Sequence, residues 1–199
     1  MFRQREYFLS NIIIFCKRRN VTIRLTFLSN CNKNISKINM KGMIFKMEKI
    51  RGFEIAKGYE NKGINLPIRK TKNAAAYDLE AAEDTILPKF KLGQKPTLIP
   101  TGLKAYMQPD EVLMLFPRSS GPKKQGIMFP HGVGIIDADY YENPDNDGHI
   151  FIQCINIKDE DVLIKKGETI AQAMFQKYLI IDDDNAEGNR KGGFGSTDK

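Results

Sequence analysis

Two acidic residues stand at the end of an apolar run in "GIIDADYYENPDNDGHI". Asp137 and Asp139 flank Ala138 directly after three apolar positions. In an extended chain both carboxylates point to one face and Tyr140 to the other. A carboxylate at the end of a buried strand can serve as a general base or hold a metal ion. Aspartate is also a common turn residue, so the pattern taken alone favours a turn cap.

A second candidate site lies in "PRSSGPKKQG", directly after an apolar run. Arg118, Ser119, Ser120 and Gly121 combine a guanidinium, two hydroxyls and a glycine. This combination suits a cradle for phosphate. An exposed polar loop explains the same residues about equally well.

The chain ends in "RKGGFGSTDK", which places an aromatic ring among glycines, hydroxyls and basic residues. Glycine lets backbone N–H groups approach an anion closely, and a ring on a flexible arm can stack on a planar ligand. A ligand that combines a planar ring with phosphate is a nucleotide, so the segment indicates nucleotide binding. The Walker and dinucleotide patterns do not fit, because no strand or helix follows. The alternative is a disordered tail, since residues 182–199 hold one large apolar residue, Phe194.

The elements that must position these residues are predicted to be strands. Short apolar runs lie between Gly, Pro, Asp and Asn at Glu111–Pro117, Gly148–Lys158, Asp161–Lys166 and Ile170–Ile181. Thr97–Tyr106 is predicted to form two strands around a turn, and Ile50, Phe53 and Ile55 to supply a first strand. The last run, Ile170–Ile181, is also compatible with a helix by propensity. We expect an all-β sandwich, barrel or jelly roll.

The charge of the chain, +7 overall, is unevenly distributed. Residues 1–46 hold ten of the 31 basic residues and one of the 24 acidic residues, a net charge of +9. The remaining 21 basic and 23 acidic residues leave a net charge of −2. The body therefore lacks the composition of a nucleic-acid binder. We expect a basic extension over 1–46 (a targeting peptide, a nucleic-acid arm or upstream translated sequence before Met47), a β domain over 47–181 and a flexible arm over 182–199.

The three cysteines form no CxxC pair, which disfavours a zinc site or a disulfide framework and favours a reducing, cytoplasmic location. Cys154 is predicted to be a small buried hydrophobe. No apolar stretch approaches the length of a transmembrane helix, so no membrane association is expected.

The order of the motifs is more specific than any one of them. AAAYDL, PRSSG, GIIDADY, GETIAQ and a terminal R-x-GGFGST resemble the five ordered motifs of the trimeric dUTPases, over roughly residues 50–199. The insertion Tyr140–Asp147 resembles the variant in some Gram-positive bacterial and phage members. The resemblance implies a jelly-roll subunit that forms a homotrimer. It also implies Mg²⁺-dependent hydrolysis of dUTP to dUMP and pyrophosphate, which keeps uracil out of DNA and supplies dUMP for dTMP synthesis.

The resemblance also implies roles for residues. Asp137 would be the general base that activates water for attack on the α-phosphate, and Asp78 would orient water on the metal. Tyr140 would pack under the deoxyribose, and Phe194 would stack over uracil. The residues expected to contact substrate are Arg118, Ser119, Ser120, Gly121, His131, Gly134, Ile136, Asp139, Tyr140, Gln172, Arg190, Phe194, Gly195, Ser196 and Thr197. The chain departs from the family pattern at Ala76, Ser120, His131, Thr169 and Asp198.

Three other functions remain open at this point. A dCTP deaminase would share the fold, although the complete GGFGST arm favours the diphosphatase. A regulatory dUTP-binding protein would act through a protein partner, for which Tyr141–Asp147 is predicted to be an exposed docking loop. A nucleic-acid binder would rest on residues 1–46 alone.

Overall fold

The computed structural model describes residues 8–16, 21–29, 49–188, 190, 192 and 193. Its regular elements are almost all short strands separated by turns. In chain order they are β1 (Phe8–Cys16), β2 (Val21–Ser29), β3 (Gly52–Ile55), β4 (Tyr77–Glu80), β5 (Thr85–Leu87), β6 (Thr97–Pro100), β7 (Leu103–Tyr106), β8 (Glu111–Pro117), α1 (Gly121–Gln125), β9 (Ile127–Met128), β10 (Gly134–Asp137), a 3-10 turn (Ala138–Tyr140), β11 (Phe151–Asn156), β12 (Val162–Ile164) and β13 (Thr169–Lys177). The prediction of an all-β fold is confirmed.

The chain divides into two units, Met1–Met47 and Glu48–Lys199. In the first unit, β1 and β2 pair antiparallel over their whole length, with Phe8 opposite Ser29. Met47, the predicted start of the β domain, lies outside the described residues.

The sheet that positions most of the predicted site residues has the strand order β10-β8-β13-β4. Its central strand β8 coincides with the predicted run, and its apolar side chains Leu113 and Leu115 are buried. β13 pairs with β8 on one side and with β4 on the other. Pairing on both sides makes this segment a strand, although its propensity also allows a helix.

The remaining strands of the second unit form three smaller sheets, with orders β6-β11-β9, β12-β5 and β3-β7. β11 alternates strictly, since Ile152, Cys154 and Asn156 are buried and the residues between them are half-buried. This is the period of two that a half-buried strand shows. The buried core is built from apolar residues of most of these strands, including Leu79, Ile99, Leu113, Ile152, Ile164 and Ile170.

Cys154 lies in this core with no exposed surface, and burial raises the pKa of its thiol to about 12. It fills space as a small apolar side chain, as predicted. Within the described ranges, no helix has both the length and the apolar character needed to cross a membrane.

Candidate functional site

The apolar run before Asp137 forms β10, which pairs antiparallel with β8. Where β10 ends, a cavity opens beside it. We call it the β10 cavity; its walls include Leu115, Phe129, His131, Gly134, Ile136, Asp137, Tyr140, Arg190 and Gly193. An apolar cavity that carries a few polar groups at one end is the usual form of a small-molecule site.

The chain turns immediately after Asp137, because residues Ala138–Tyr140 form one 3-10 turn. The segment is therefore a turn, which the aspartate pattern favours, rather than an extended Asp-x-Asp chain. Both carboxylates meet one cation. Arg190 Nη2 donates to Asp137 Oδ2, and Arg190 Nε donates to Asp139 Oδ1 at 2.7 Å. Asp137 keeps 47% of its side-chain surface exposed and so remains accessible to a ligand.

Tyr140 forms a wall of the β10 cavity and is only 5% exposed. Its hydroxyl donates to the carbonyl of His149 at 2.9 Å and accepts from Asn146 Nδ2 at 2.8 Å. Burial raises the pKa of this phenol, so it stays protonated at neutral pH. A Cβ on Gly193 would lie 2.7 Å from Tyr140 Cε2, so the glycine permits close contact between the C-terminal arm and the ring.

His131 lines the same cavity, and its ring stacks on Phe129 with 5.8 Å between ring centroids. Gly134 lies beneath it. A Cβ there would come within 3.1 Å of Leu115 Cβ and 3.4 Å of His131 Nε2. The glycine therefore lets β10 pass close beneath the imidazole.

A second cavity lies at the far end of β8. We call it the β8 cavity; it is lined by Lys70, Asp78, Arg118, Ser119, Ser120 and Gln172, among others. Asp78 on β4 lies directly opposite Gln172 on β13. Arg118 Nε stands 3.7 Å from Asp78 Oδ1. The structure thus brings the predicted phosphate ligands and the predicted metal-associated carboxylate together.

Asp78 carries an unsatisfied atom in this second cavity. Its Oδ2 is buried, and no hydrogen-bond partner for it lies among the described residues. Gln172 is held by donation of its Nε2 to the carbonyl of Pro117 at 3.2 Å. Gly121 begins α1, and its N–H donates to the carbonyl of Arg118 at 2.9 Å, so this amide is engaged within the turn.

Asp137 and Arg118 lie beside opposite ends of β8. Asp137 pairs with Val112 near the start of the strand, whereas Arg118 follows its last residue. Arg118 lies six positions after Val112, which at about 3.3 Å per residue places the Asp137 and Arg118 backbones roughly 20 Å apart. Within one chain, Asp137 and Arg118 do not share a cavity.

Four of the predicted site residues belong to the end of the C-terminal arm. Phe194, Gly195, Ser196 and Thr197 lie outside the described residues.

The prediction that Tyr141–Asp147 is an exposed loop is wrong for part of the segment, because Asn143 is 5% exposed and Tyr141, Asn146 and Asp147 are half-buried.

Two further cavity residues were not predicted from the sequence. Phe129 lines the β10 cavity, and its only signal was an apolar side chain between Met128 and Pro130. Lys70 lines the β8 cavity and adds a second cation near Arg118. Its signal was a basic segment directly before the AAAYDL motif.

The chain is similar in sequence and in fold to known proteins. A model of the dUTPase family matches residues 62–198. Over 151 residues the chain is 53% identical to the deoxyuridine 5'-triphosphate nucleotidohydrolase of Lactococcus lactis, covering 75% of this chain and 98% of the relative. The crystal structure of dUTPase from Streptococcus mutans superposes with a TM-score of 0.61 at 46% identity, covering 66% of this chain and 98% of that one. The dUTPase of phage phi11 of S. aureus, at 18% identity, shares the fold, with a TM-score of 0.55 over 74% of this chain and 99% of the phage chain.

Proposed function

This chain belongs to the dUTPase family and hydrolyses dUTP, and we propose that Asp137 is the general base of the reaction. Asp137 ends β10 with its carboxylate half-exposed at the cavity where Tyr140 and His131 lie. A carboxylate in this position can accept a proton from water as the water attacks the α-phosphate. Its neighbour Asp139 shares Arg190 with it and keeps the local charge negative.

The β10 cavity is proposed to hold the nucleoside. Tyr140 packs under the deoxyribose and excludes a 2'-hydroxyl, because the ring is buried and bonded at its hydroxyl. His131, which projects beside Gly134, faces the base. The role of Phe194, stacking over uracil, rests on the family resemblance alone.

The phosphates are proposed to be held by Arg118, Ser119 and Gln172. Arginine and hydroxyl donors suit phosphate oxygens, and they stabilise the charge that develops during the reaction. The α-phosphate attacked near Asp137 is joined to the other phosphates by short bonds. One dUTP therefore cannot use Asp137 and Arg118 of the same chain, which are roughly 20 Å apart.

The separation along β8 is the observation that carries the proposal of a homotrimer with shared active sites. Each site would take its general base from one chain and phosphate ligands from another. Three consecutive apolar residues after β13, Leu179, Ile180 and Ile181, are 97%, 70% and 80% exposed. Such a run is costly in water and is expected to be covered by another copy of the chain.

Magnesium is the proposed cofactor, and Asp78 fits it. The buried Oδ2 of Asp78 has no partner among the described residues and can accept a hydrogen bond from a metal-bound water. Mg²⁺ keeps several waters and is usually bound through substrate phosphates, where it neutralises charge. Arg118 beside Asp78 would bind the same phosphates.

The assignment of Asp137 is tested by Asp137→Asn, which keeps the shape of the side chain but removes the basic oxygen. We expect turnover of dUTP to pyrophosphate to fall about 100-fold or more, as for the loss of a general base. Asp159→Asn, which changes a 95% exposed carboxylate, is the matched control and should keep full turnover. Undiminished turnover by Asp137→Asn would remove Asp137 from this role.

A further inference from the structure

The Tyr140 hydroxyl is held by the segment that follows it. It accepts a hydrogen bond from Asn146 Nδ2 at 2.8 Å, in addition to its own bond to the His149 carbonyl. Asn146 belongs to the stretch that the sequence marks as an insertion, and His149 stands two residues after its end. We call Tyr141–Asp147 the insertion loop. The ring that lines the substrate cavity is therefore fixed at its far end from outside the cavity.

Within the insertion loop, two asparagines fix each other. Asn143 Nδ2 donates to Asn146 Oδ1 at 2.9 Å and to the Tyr140 carbonyl at 2.8 Å. Asn143 Oδ1 accepts the N–H groups of Asp145 and Asn146 at 3.1 and 3.2 Å. Asn146 Oδ1 also accepts the N–H of Gly148 at 3.1 Å. The Asn146 amide group is thereby oriented with its NH₂ towards the tyrosine.

The insertion loop is anchored to the rest of the domain by Lys104 of β7, which is 8% exposed. Its Nζ lies 3.1 Å from both Glu142 and Asp147. Asp147 Oδ2 accepts the N–H of Lys57 at 2.8 Å, and Tyr141 donates to Glu54 at 2.6 Å. Breaking a buried ion pair is costly, so these contacts of Lys104 hold the insertion loop against β7.

The two ends of the insertion loop also meet. Gly148 has a φ of +78°, and a Cβ there would lie 2.7 Å from the Tyr140 carbonyl oxygen and 3.0 Å from the Glu142 nitrogen. A side chain at this position would push the loop away from Tyr140. The loop is thus a closed structure built around the tyrosine, rather than an appendage of the turn.

We propose that the insertion loop sets the selectivity of the enzyme for deoxyribose over ribose, with Asn146 as a positioning residue that acts through the Tyr140 hydroxyl. This inference rests on the proposed packing of Tyr140 under the sugar. A side chain that packs against the sugar excludes a 2'-hydroxyl only if it cannot move aside. Shifts of about 0.5 Å are enough to lose this selectivity. Asn146 and the His149 carbonyl remove that freedom by holding the hydroxyl from two sides.

The test compares kcat/KM for dUTP and for UTP in Asn146→Ala, Tyr140→Phe and the double variant. Asp145→Ala is the control, because it truncates an exposed neighbour in the same loop. We expect the dUTP/UTP ratio to fall about five- to tenfold in Asn146→Ala, the worth of one hydrogen bond, and to stay at the wild-type value in Asp145→Ala. In the Tyr140→Phe background, Asn146→Ala should have no further effect on the ratio.

Other results would overturn the inference. A merely structural loop would lower the thermal midpoint and change both kcat/KM values equally, which leaves the ratio intact. If Asn146→Ala lowers the dUTP/UTP ratio as much in Tyr140→Phe as in wild type, Asn146 does not act through the Tyr140 hydroxyl. Tyr140→Ala separates this failure from that of the proposed function. If Tyr140→Ala lowers the ratio and Asn146→Ala does not, only the loop inference fails; if neither does, the sugar-binding role of Tyr140 fails as well.

Discussion

Arg190 forms an ion pair with Asp137, the proposed general base, and a second with Asp139 through its Nε at 2.7 Å. The guanidinium also lies over the Tyr140 ring, 6.0 Å from its centroid. The C-terminal arm thus places its cation on the carboxylates of its own chain. Because a triphosphate carries more negative charge than these two carboxylates, dUTP is expected to draw Arg190 away and free Asp137 for catalysis.

Deleting Gly188–Lys199 should therefore reduce turnover far more than stability. The deleted segment contributes Arg190 and the Gly193 contact to the β10 cavity, whereas the buried core lies in the strands. We expect a loss of about 100-fold or more in kcat/KM, because charge stabilisation and exclusion of water are both lost. Thermal unfolding of the same variant should stay near the wild-type midpoint. Turnover equal to that of the full chain would show that the arm is not part of the site.

Mixing two inactive variants should restore activity if each site is shared between chains. Asp137→Asn and Arg118→Ala each destroy one half of every site in their own assemblies. After the two are unfolded and refolded together, about a quarter of the sites should carry both intact residues by random assembly. Pyrophosphate release from the mixture, compared with the sum of the separate variants, measures this. A mixture no more active than that sum would place both residues in one chain's site.

Asp78→Asn should raise the Mg²⁺ concentration needed for half-maximal turnover about tenfold or more, as for other groups that orient a metal-bound water. The change converts one carboxylate oxygen of the β8 cavity into an amide donor. Glu80→Gln is the matched control, since Glu80 lies on the same strand and accepts from Asn65 at 2.9 Å. Titrations of chelator-treated enzyme with Mg²⁺ give the comparison. Identical Mg²⁺ requirements for both variants would separate Asp78 from the metal.

The stability of the domain should fall in mild acid because of His149. Its Nε2 accepts the N–H of Gly102 at 2.9 Å, so the imidazole is neutral in the folded protein. Burial is the main reason that its pKa is lowered to about 4. Between about pH 6.5 and this value the unfolded chain binds a proton that the folded chain does not, so the free energy of unfolding decreases as the pH falls.

We expect His149 to lower the free energy of unfolding by about 2 kcal/mol as the pH falls from about 7.5 to about 5. Urea unfolding of wild type and of His149→Gln at the two pH values isolates it. Glutamine can still accept a hydrogen bond but does not titrate, so the variant should lose this part of the pH dependence even if it is less stable overall. If the free energy of unfolding of His149→Gln changes between the two pH values as much as that of wild type, His149 is not the source of the pH dependence.

The sequence was most informative where a local pattern decides the structure. Glu111–Pro117 is apolar and bounded by turn residues, and it forms β8 with these bounds. Propensity left Ile170–Ile181 open to a helix, because the decisive interaction is pairing with β8 and β4, which are distant in the chain. The order of the motifs can be read along the chain, and it indicated the family. The separation of Asp137 from Arg118 depends on the strand register, so it became visible only in the structure.

The burial of the insertion loop could not be predicted from its local sequence. Its composition of Asn, Asp and Pro is typical of an exposed turn. One residue that anchors it is Lys104, 38 residues before Glu142, and a lysine in a short strand carries no signal of two distant carboxylates. The turn after Asp137 was easier to predict, since aspartate is a common turn residue and the pattern favours a turn.

The burial of Cys154 gives the protein a built-in chemical reporter. A thiol with no exposed surface and a pKa raised to about 12 offers almost no thiolate to an alkylating reagent in the folded state. Alkylation at this position therefore requires that β11 leave the core. In a chain that starts at Met47, Cys154 is the single cysteine, so its rate of modification reads out how often the sheet opens, without any added label.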